Sequence, residues 1–186
     1  MRKVIFSMMM SVDGFFEGPD HNIDWHVIDE EMHTFVLEQQ RGFGMYLFGR
    51  RMYENMSAFW STADSDPSAS KFVLEYAQIY RQMPKLVFSH TLKQVAGNSR
   101  LAGSDIAAEV ARLKEEPGKD LNVSGANLAA AFTRLGLIDE YRVFISPVIL
   151  GAGNPLFPAG DERVNLRLVE SRTFHSGVVF LRYVKV

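Results

Sequence analysis

Three short segments follow apolar runs and carry residues that suit the binding of a phosphate. The first segment consists of Gly49, Arg50, Arg51 and Met52. If a helix begins here, its exposed backbone N–H groups, the positive end of its dipole and the arginine forks would bind a phosphate. A tight turn with solvated arginines explains this stretch equally well when it is taken alone.

The second segment consists of Ser124, Gly125, Ala126, Asn127 and Leu128. Gly125 permits a close approach of the backbone to a pyrophosphate, and the Ser124 hydroxyl can form a hydrogen bond with it. A simple helix N-cap is the alternative interpretation. The segment lacks G-x-G-x-x-G, so the dinucleotide-binding pattern of Rossmann domains is absent.

The third segment places Ser89 and His90 at the end of another apolar run. Ligands of open parallel sheets bind beyond the carboxyl ends of the strands, so three such ends facing one crevice predict a single site. Taken singly, His90 is more typical of a surface or capping histidine than of a ligand contact.

Two other kinds of chemistry have weaker support. The turn at residues 123–125 has the outline of a hydrolase nucleophile turn, but residue 122 is Asn and G-x-S-x-G is not met. His21, His26 and His33 suggest a metal only by their number, because His26 precedes the helix expected to hold His33 and H-E-x-x-H does not occur. We therefore expect loop and surface histidines and no metal site.

Composition limits the partners and the compartment. With 186 residues, 47% of them hydrophobic, the chain is expected to form one domain over residues 1–186. A net charge of -2 offers no general field for nucleic acid or an anionic membrane, so neither is expected as a partner. Because the chain has no cysteine and its start lacks the pattern of a signal peptide, we expect a cytoplasmic protein without disulfides.

Buried strands must position the three phosphate-binding candidates. Apolar runs predict strands at Val4 to Met10, Met45 to Phe48, Lys85 to Phe88 and Leu121 to Val123. Helical segments separate these runs, and such alternation favours a mainly parallel sheet with right-handed crossovers, flanked by helices.

Three of the helices have recognisable ends. The clearest is predicted from Ser104 to Glu116, with Ser104 as its N-cap. A second is predicted from Ala126 to Leu135, and Gly136 should end it in a Schellman motif. A third should begin near Asp29.

The pattern changes after Glu140, where no helical segment follows. Runs at Tyr141 to Ile149, Val164 to Val169 and Val178 to Val186 predict three more strands. We expect them to be antiparallel and to complete the same sheet. The expected fold class is therefore α/β, with a mixed, mainly parallel central sheet and an antiparallel region of strands at the C-terminus.

The most specific pattern is a long run near the C-terminus. Residues 137–141 read LIDEY and residues 146–157 read SPVILGAGNPLF, and together they resemble the signature of the riboflavin-biosynthesis reductase family, the RibD C-terminal domain. This family has the dihydrofolate-reductase-like fold. Other pieces of the pattern come in the family's order, namely Ser11 to Gly14, Gly49 to Glu54, Ser89 and Ser124 to Leu128.

That resemblance implies that NADPH is the cofactor. Gly49 to Met52 and Ser124 to Leu128 would hold its phosphates, while Ser89 and His90 would lie near the adenosine 2′-phosphate. The chain departs from the family in three places: Met52 replaces a usual Thr, Ser124-Gly125 replaces a common Gly-Gly, and His90 stands where dihydrofolate reductases often have Arg. Each departure removes a donor or a cation, or narrows the approach of the backbone.

The resemblance also places the substrate beside residues 13–31. Asp13 would contact the substrate, although an Asx-turn that shapes the loop explains it at least as well. Trp25 would form a wall of the pocket or be an aromatic residue of the core. Glu30 follows Trp25 at the spacing at which dihydrofolate reductases place an acid, so it is the expected proton donor. A solvated acid in the first turn of a helix is the alternative.

The implied activity is the transfer of a hydride from NADPH to a small heterocycle, either a pterin-like compound or a ribosylaminopyrimidine. A homodimer is also expected, because the family forms one and the strands of the C-terminal region offer an edge. The departures at Met52 and Ser124 leave a second interpretation, a non-catalytic protein that binds a nucleotide or another small ligand on the same fold.

Overall fold

The computed structural model describes residues 1–160 and 163–186. In these ranges the strands are β1 (Val4–Ser11), β2 (Phe15–Glu17), β3 (Phe43–Gly49), β4 (Lys85–Phe88), β5 (Ser99–Leu101), β6 (Asp120–Ser124), β7 (Glu140–Ser146), β8 (Asn154–Pro155), β9 (Leu166–Thr173) and β10 (Val179–Lys185). The α-helices are α1 (Glu30–Arg41), α2 (Arg50–Trp60), α3 (Lys71–Gln82), α4 (Ile106–Glu115) and α5 (Ala126–Arg134). Short 3₁₀ turns lie at Pro19–His21 and Ala63–Ser65.

Eight strands form one sheet in the order β5-β4-β3-β6-β1-β7-β10-β9, and β2 pairs with β8 in a separate ribbon. Every pairing from β5 to β7 is parallel, and β10 runs antiparallel to both of its neighbours. The predicted mainly parallel α/β sheet is therefore confirmed. The prediction that all strands after Glu140 would be antiparallel was wrong for β7. Helix α5 carries the chain back to the side of the sheet where β1 begins, so β7 pairs with β1 in parallel.

Both faces of the central parallel part of the sheet are buried, which explains why the strands there read as continuous apolar runs. Phe6, Leu47 and Val123 lie in a cluster on the face covered by α4 and α5. Ile5 and Tyr46, which precede two of these residues in the strands, belong to the cluster on the opposite face, with side chains of α2 and α3. No helix in the described residues is long and apolar enough to cross a membrane.

Local side chains set the ends of the helices. Asp29 caps α1 by accepting a hydrogen bond from the Met32 N–H at 2.8 Å. The predicted cap of α4 was wrong by one residue: Asp105, not Ser104, accepts the hydrogen bond from Ala108. The Schellman motif after α5 is confirmed, since Gly136 has a φ of +65° and both of its characteristic backbone hydrogen bonds form.

The SPVILGAGNPLF segment braces the loop that follows β1. Its backbone N–H groups at Leu150 and Gly151 donate to the Asp13 carboxylate at 3.1 and 2.7 Å. Gly153 has a φ of +145° and lies so close to β2 that a Cβ there would overlap the carbonyl oxygen of Glu17. This segment therefore helps to set the shape of the loop.

We expect Gly153→Ala to lower the free energy of unfolding by about 3 kcal/mol or more, because it combines a strained φ with a steric overlap. Gly151→Ala is the matched control, since its φ is also positive, +74°, but nothing lies within 4 Å of an added Cβ. That variant should lose only about 1 kcal/mol. Chemical denaturation of both variants measures the difference, and equal losses would show that the close approach to Glu17 has no energetic consequence.

Candidate functional site

The carboxyl ends of β1, β3, β4 and β6 lie along one edge of the sheet, because these strands are parallel. The strand register makes the predicted phosphate-binding segments neighbours: Phe48 is paired with Ser124, and Gly49 with Phe88, the residue before Ser89. The structure therefore brings together three segments that are separated by 34 or more residues in the sequence.

Two helices begin at this edge without a side-chain cap. Gly49 is the N-cap of α2 and Gly125 is the N-cap of α5, and neither can offer a side-chain acceptor to the first turn. The other α-helices of the described residues are capped by the side chains of Asp29, Ser70 and Asp105. Backbone N–H groups in the first turns of α2 and α5 are therefore left for water or an anionic ligand.

The two glycine turns pack directly on each other. Gly125 has a φ of +97°, and a Cβ at this position would lie 3.3 Å from Cβ of Met52. A Cβ at Gly49 would lie 3.6 Å from Cβ of Leu128. Ala126 and Leu128 are buried in the core, whereas Asn127 is exposed. Any contact from this segment to a ligand would therefore come from its backbone, from Ser124 or from Asn127.

Arg50 lies between the first and third segments. Its guanidinium donates to the Thr91 hydroxyl at 3.3 Å and is 3.8 Å from the carboxylate of Glu54, while about half of the side chain, 54%, is exposed. The Ser89 hydroxyl accepts hydrogen bonds from the backbone N–H groups of Thr91 and Leu92, and His90 is exposed. Arg50 is thus a cation of this edge with much of its surface open to solvent.

Arg51 has a different partner. Both of its terminal nitrogens donate to the buried carboxylate of Glu17, at 3.0 and 2.6 Å. Asn154 donates to the same carboxylate at 2.7 Å, and Nδ1 of His21 lies 2.9 Å from it. Burial opposes ionisation of Glu17, but these hydrogen bonds outweigh it and hold the pKa of Glu17 below its usual range. Contact of Arg51 with a phosphate stays a prediction. Both terminal nitrogens of its guanidinium already donate to the Glu17 carboxylate.

The residues predicted to serve the substrate lie apart from one another. Asp13 is exposed and accepts hydrogen bonds from the SPVILGAGNPLF segment, as a loop-shaping residue does. Trp25 donates from Nε1 to the Asn22 carbonyl, and its ring meets that of His26 edge to face at 4.4 Å. Glu30 is exposed in the first turn of α1. None of these three side chains lines the cavity next to the glycine turns.

That cavity has a volume of about 280 Å³ and lies against the sheet face covered by α2 and α3. Its polar lining consists of Ser7, His26, Gln40, Tyr46, Tyr76, Asn122 and Ser124. Its apolar lining consists of Met8, Met9, Phe48, Met52 and Met56. Because Met52 and Ser124 belong to the two glycine turns as well, the cavity adjoins the edge where a phosphate would bind.

Several of these lining residues were not predicted from the sequence. Ser7 and Asn122 interrupt otherwise apolar strands, and a polar residue in a buried strand is the signal that could have identified them. The sequence predicts a loop or surface residue at His26, and the structure places this loop residue in the cavity wall. The other two histidines have separate neighbours, since His21 contacts Glu17 and His33 stacks on Phe72.

The titratable groups of the cavity wall are uncharged at neutral pH. Burial lowers the pKa of His26, which favours the neutral imidazole. Burial raises the pKa of Tyr46 and raises that of Tyr76 to about 12, so both phenols stay protonated. The cavity wall is therefore polar at a few points but carries no formal charge from these groups.

A larger cavity, of about 420 Å³, lies at the opposite ends of β4 and β5. Its notable residue is Lys85, whose ammonium donates to the carbonyls of Tyr80 and Met83 at the end of α3. Burial lowers the pKa of Lys85 to about 8. Since a cation is stabilising at the C-terminal end of a helix, Lys85 is explained by its structural role, and this cavity is remote from the glycine turns.

A family model of the RibD C-terminal domain matches residues 2–180. The chain belongs to this family. Among its relatives, the uncharacterized protein YyaP of Bacillus subtilis (strain 168) is 36% identical over 184 residues, which cover 98% of this chain and 94% of YyaP. The uncharacterized protein YwjB of the same organism is 28% identical over 193 residues, which cover 99% of this chain and 98% of YwjB.

Solved structures with low sequence identity share the fold. A putative riboflavin biosynthesis protein from Shewanella sp. PV-4 has a TM-score of 0.76 at 20% identity and covers 100% of this chain and 99% of its own. Dihydrofolate reductase from Enterococcus faecalis, complexed with NADP(H), has a TM-score of 0.64 at 11% identity. The match covers 98% of this chain and 96% of the reductase. The predicted dihydrofolate-reductase-like fold is therefore confirmed.

We expect Glu17→Gln to lower the free energy of unfolding by about 1–3 kcal/mol at neutral pH. The reason is that the glutamine amide cannot accept all the hydrogen bonds that Arg51 and Asn154 donate to the Glu17 carboxylate. Because the pKa of Glu17 is lowered from 4.5 in the folded protein, the stability due to its ionised form is complete above that value and is lost as the pH falls through the lowered pKa. The difference between wild type and variant should thus shrink below about pH 4.

Denaturant titrations over a range of pH measure this difference. Glu54→Gln is the control, because Glu54 is exposed and 3.8 Å from Arg50, and its replacement should change the free energy of unfolding by less than about 0.5 kcal/mol. A difference for Glu17→Gln that stays constant from neutral to acidic pH would contradict an ionised Glu17.

Proposed function

We propose that this protein is an NADPH-dependent reductase that acts on a small heterocycle. The observation that carries the proposal is the pair of adjacent helix N-termini at Gly49 and Gly125, which lack side-chain caps at the carboxyl ends of neighbouring parallel strands. Two positive dipole ends with free N–H groups suit the two phosphates of a pyrophosphate. Membership of the RibD C-terminal domain family and the NADP(H) complex of a protein with the same fold support this assignment.

The adenosine 2′-phosphate would lie near the third segment. Arg50 already contacts Thr91 in this segment and keeps enough exposed surface to pair with a further anion. Ser89 and His90 would add hydrogen bonds there. A charged partner for the 2′-phosphate favours NADPH over NADH, and a partly exposed pair gives a modest preference.

The cavity beside Met52 and Ser124 would hold the substrate, while NADPH, when bound, supplies the hydride. The protein's own residues would position the substrate ring next to the cofactor edge and exclude water from it. A pterin-like compound and a ribosylaminopyrimidine are the substrate classes suggested by the family. One protein with this fold, from Thermotoga maritima, is a deaminase and 5-amino-6-(5-phosphoribosylamino)uracil reductase, with a TM-score of 0.67 at 16% identity. It covers 100% of this chain, which spans 57% of that protein.

A non-catalytic protein that binds a nucleotide or small ligand is the second candidate. Two observations favour it: Met52 covers Gly125 where the family usually has Thr, and the predicted proton donor, Glu30, is exposed and outside the cavity lining. This candidate predicts binding of ligand without oxidation of NADPH.

Calorimetric titration should show NADPH binding about fivefold more tightly than NADH, which corresponds to about 1 kcal/mol for a partly exposed charge pair. Arg50→Ala should remove most of this preference and leave the affinity for NADH nearly unchanged. Arg134→Ala is the matched control, because this exposed arginine lies at the opposite end of α5. Equal affinities of the wild type for NADPH and NADH would contradict the placement of the 2′-phosphate.

Activity separates the two candidate functions. A reductase should oxidise NADPH, seen as loss of the reduced nicotinamide absorbance, when a panel of pterins, pyrimidines and related heterocycles is supplied. Binding of NADPH without oxidation across the panel would favour the non-catalytic candidate, and no binding of NADPH at millimolar concentration would reject the proposed reductase.

We also propose a homodimer in which β9 takes part. This strand ends the eight-stranded sheet, so one of its edges has no partner strand among residues 1–160 and 163–186, and it exposes Leu166 and Leu168. Such edges favour pairing with a second copy. Light scattering at tens of micromolar should give the mass of a dimer, and Leu168→Lys should shift it toward the monomer. A monomer for the wild type would overturn the dimer.

A further inference from the structure

The cavity beside the glycine turns differs in charge from the edge that it adjoins. None of the residues that line it, within the described part of the chain, is Asp, Glu, Lys or Arg. Two charged residues, Glu30 and Arg51, are close in sequence to the lining residues His26 and Met52 but do not line the cavity themselves. Glu30 is exposed, and Arg51 is bound to Glu17. A charged group entering this cavity would lose part of its hydration without gaining a counter-ion, and that loss is unfavourable.

Most polar groups of the wall already have partners within it. The Tyr46 hydroxyl donates to Oε1 of Gln40 at 2.7 Å, and the Ser124 hydroxyl donates to Oδ1 of Asn122 at 2.7 Å. These internal hydrogen bonds hold the side chains in place and reduce the number of groups free to bind a ligand.

Nε2 of His26 is different. It is buried and has no hydrogen-bond partner among the described residues. The loop that carries it is held in place, since the His26 N–H donates to the Ile23 carbonyl and the Trp25 ring packs against the imidazole. A buried polar atom without a partner is unfavourable in the free protein, so a ligand gains affinity when the imidazole, which lines the cavity, turns its Nε2 toward that ligand.

The size of the cavity limits the ligand further. At about 280 Å³ it is at or just below the small end of the usual range of ligand pockets, about 300–1,000 Å³. Methionine side chains and Phe48 form its apolar wall and would contact the faces of a ring. A one- or two-ring heterocycle fits this description better than a ligand with a long polar substituent.

We infer that this cavity binds a small heterocycle without formal charge and that Nε2 of His26 is its hydrogen-bond partner. This deepens the proposed function, on which it rests for the cavity being the substrate side of the nucleotide edge. Of the two substrate classes suggested by the family, an unphosphorylated ring compound is favoured, because a phosphate or carboxylate would have no cation in the cavity to bind.

The test uses the full chain and matched pairs of probes. Pterin, lumazine and quinazolin-4-one are each compared with a carboxylate derivative of the same ring, by calorimetry at neutral pH. We expect at least one uncharged ring to bind at least about tenfold more tightly than its carboxylate, with or without NADPH present.

Variants of His26 assign the hydrogen bond. His26→Phe keeps a ring beside Trp25 but removes Nε2, and it should weaken binding of the uncharged ring about tenfold. His26→Gln restores a polar group and should recover much of the loss. His33→Phe is the matched control, because His33 stacks on Phe72 and does not line the cavity.

The outcomes separate this inference from the proposed function. Equal binding of rings and carboxylates, no effect of His26→Phe, or no binding by any uncharged ring at millimolar concentration would overturn the inference, whether or not NADPH binds. Failure of NADPH to bind, together with His26-dependent binding of an uncharged ring, would reject the reductase and leave the inference supported.

Discussion

Glu17 is a carboxylate that the fold removes from water, and burial of such a charge is tolerated only when it is fully hydrogen-bonded. Its partners come from three separate places: Arg51 in the first turn of α2, Asn154 in β8 and His21 in a 3₁₀ turn. Satisfying this one group therefore fixes the start of α2 relative to the β2–β8 ribbon. Because Arg50 and the uncapped N–H groups of α2 belong to the same turn, the position of the candidate site depends on this cluster.

The same constraint explains why the most recognisable segment of the sequence is not where ligand contacts are expected. Residues 146–157 bind the Asp13 carboxylate, approach the Glu17 carbonyl through Gly153 and supply Asn154 to the Glu17 cluster. Their sequence is restricted by close backbone packing and by buried hydrogen bonds. The groups suited to a phosphate are backbone N–H groups, which every residue type except proline provides, so they leave little trace in the sequence beyond the two glycines.

Charge is divided between two adjoining regions. The edge carries Arg50 and two positive helix ends, in contact with solvent, where an anion can be paired without a large loss of hydration. The cavity next to it is lined by methionines, Phe48 and neutral polar groups. Met52 and Ser124 belong to both regions. A ligand that extends from the edge into the cavity would therefore have one end in a charged environment and the other in an uncharged one.

Local sequence patterns determined the strands at the centre of the sheet, the helix that ends at the Schellman glycine, and the glycine turns, because hydrophobic period and helix-end chemistry act over a few residues. The alternation of strands and helices was enough to predict a mainly parallel sheet. Only the tertiary structure decided the partner of Arg51, which is 34 residues away in sequence, the parallel direction of β7, and the entry of His26 rather than Glu30 into the cavity wall. All three features depend on which surfaces come into contact when the sheet is assembled. The partner of a charged or polar group is then the one nearest in space, and a local sequence pattern does not encode that proximity.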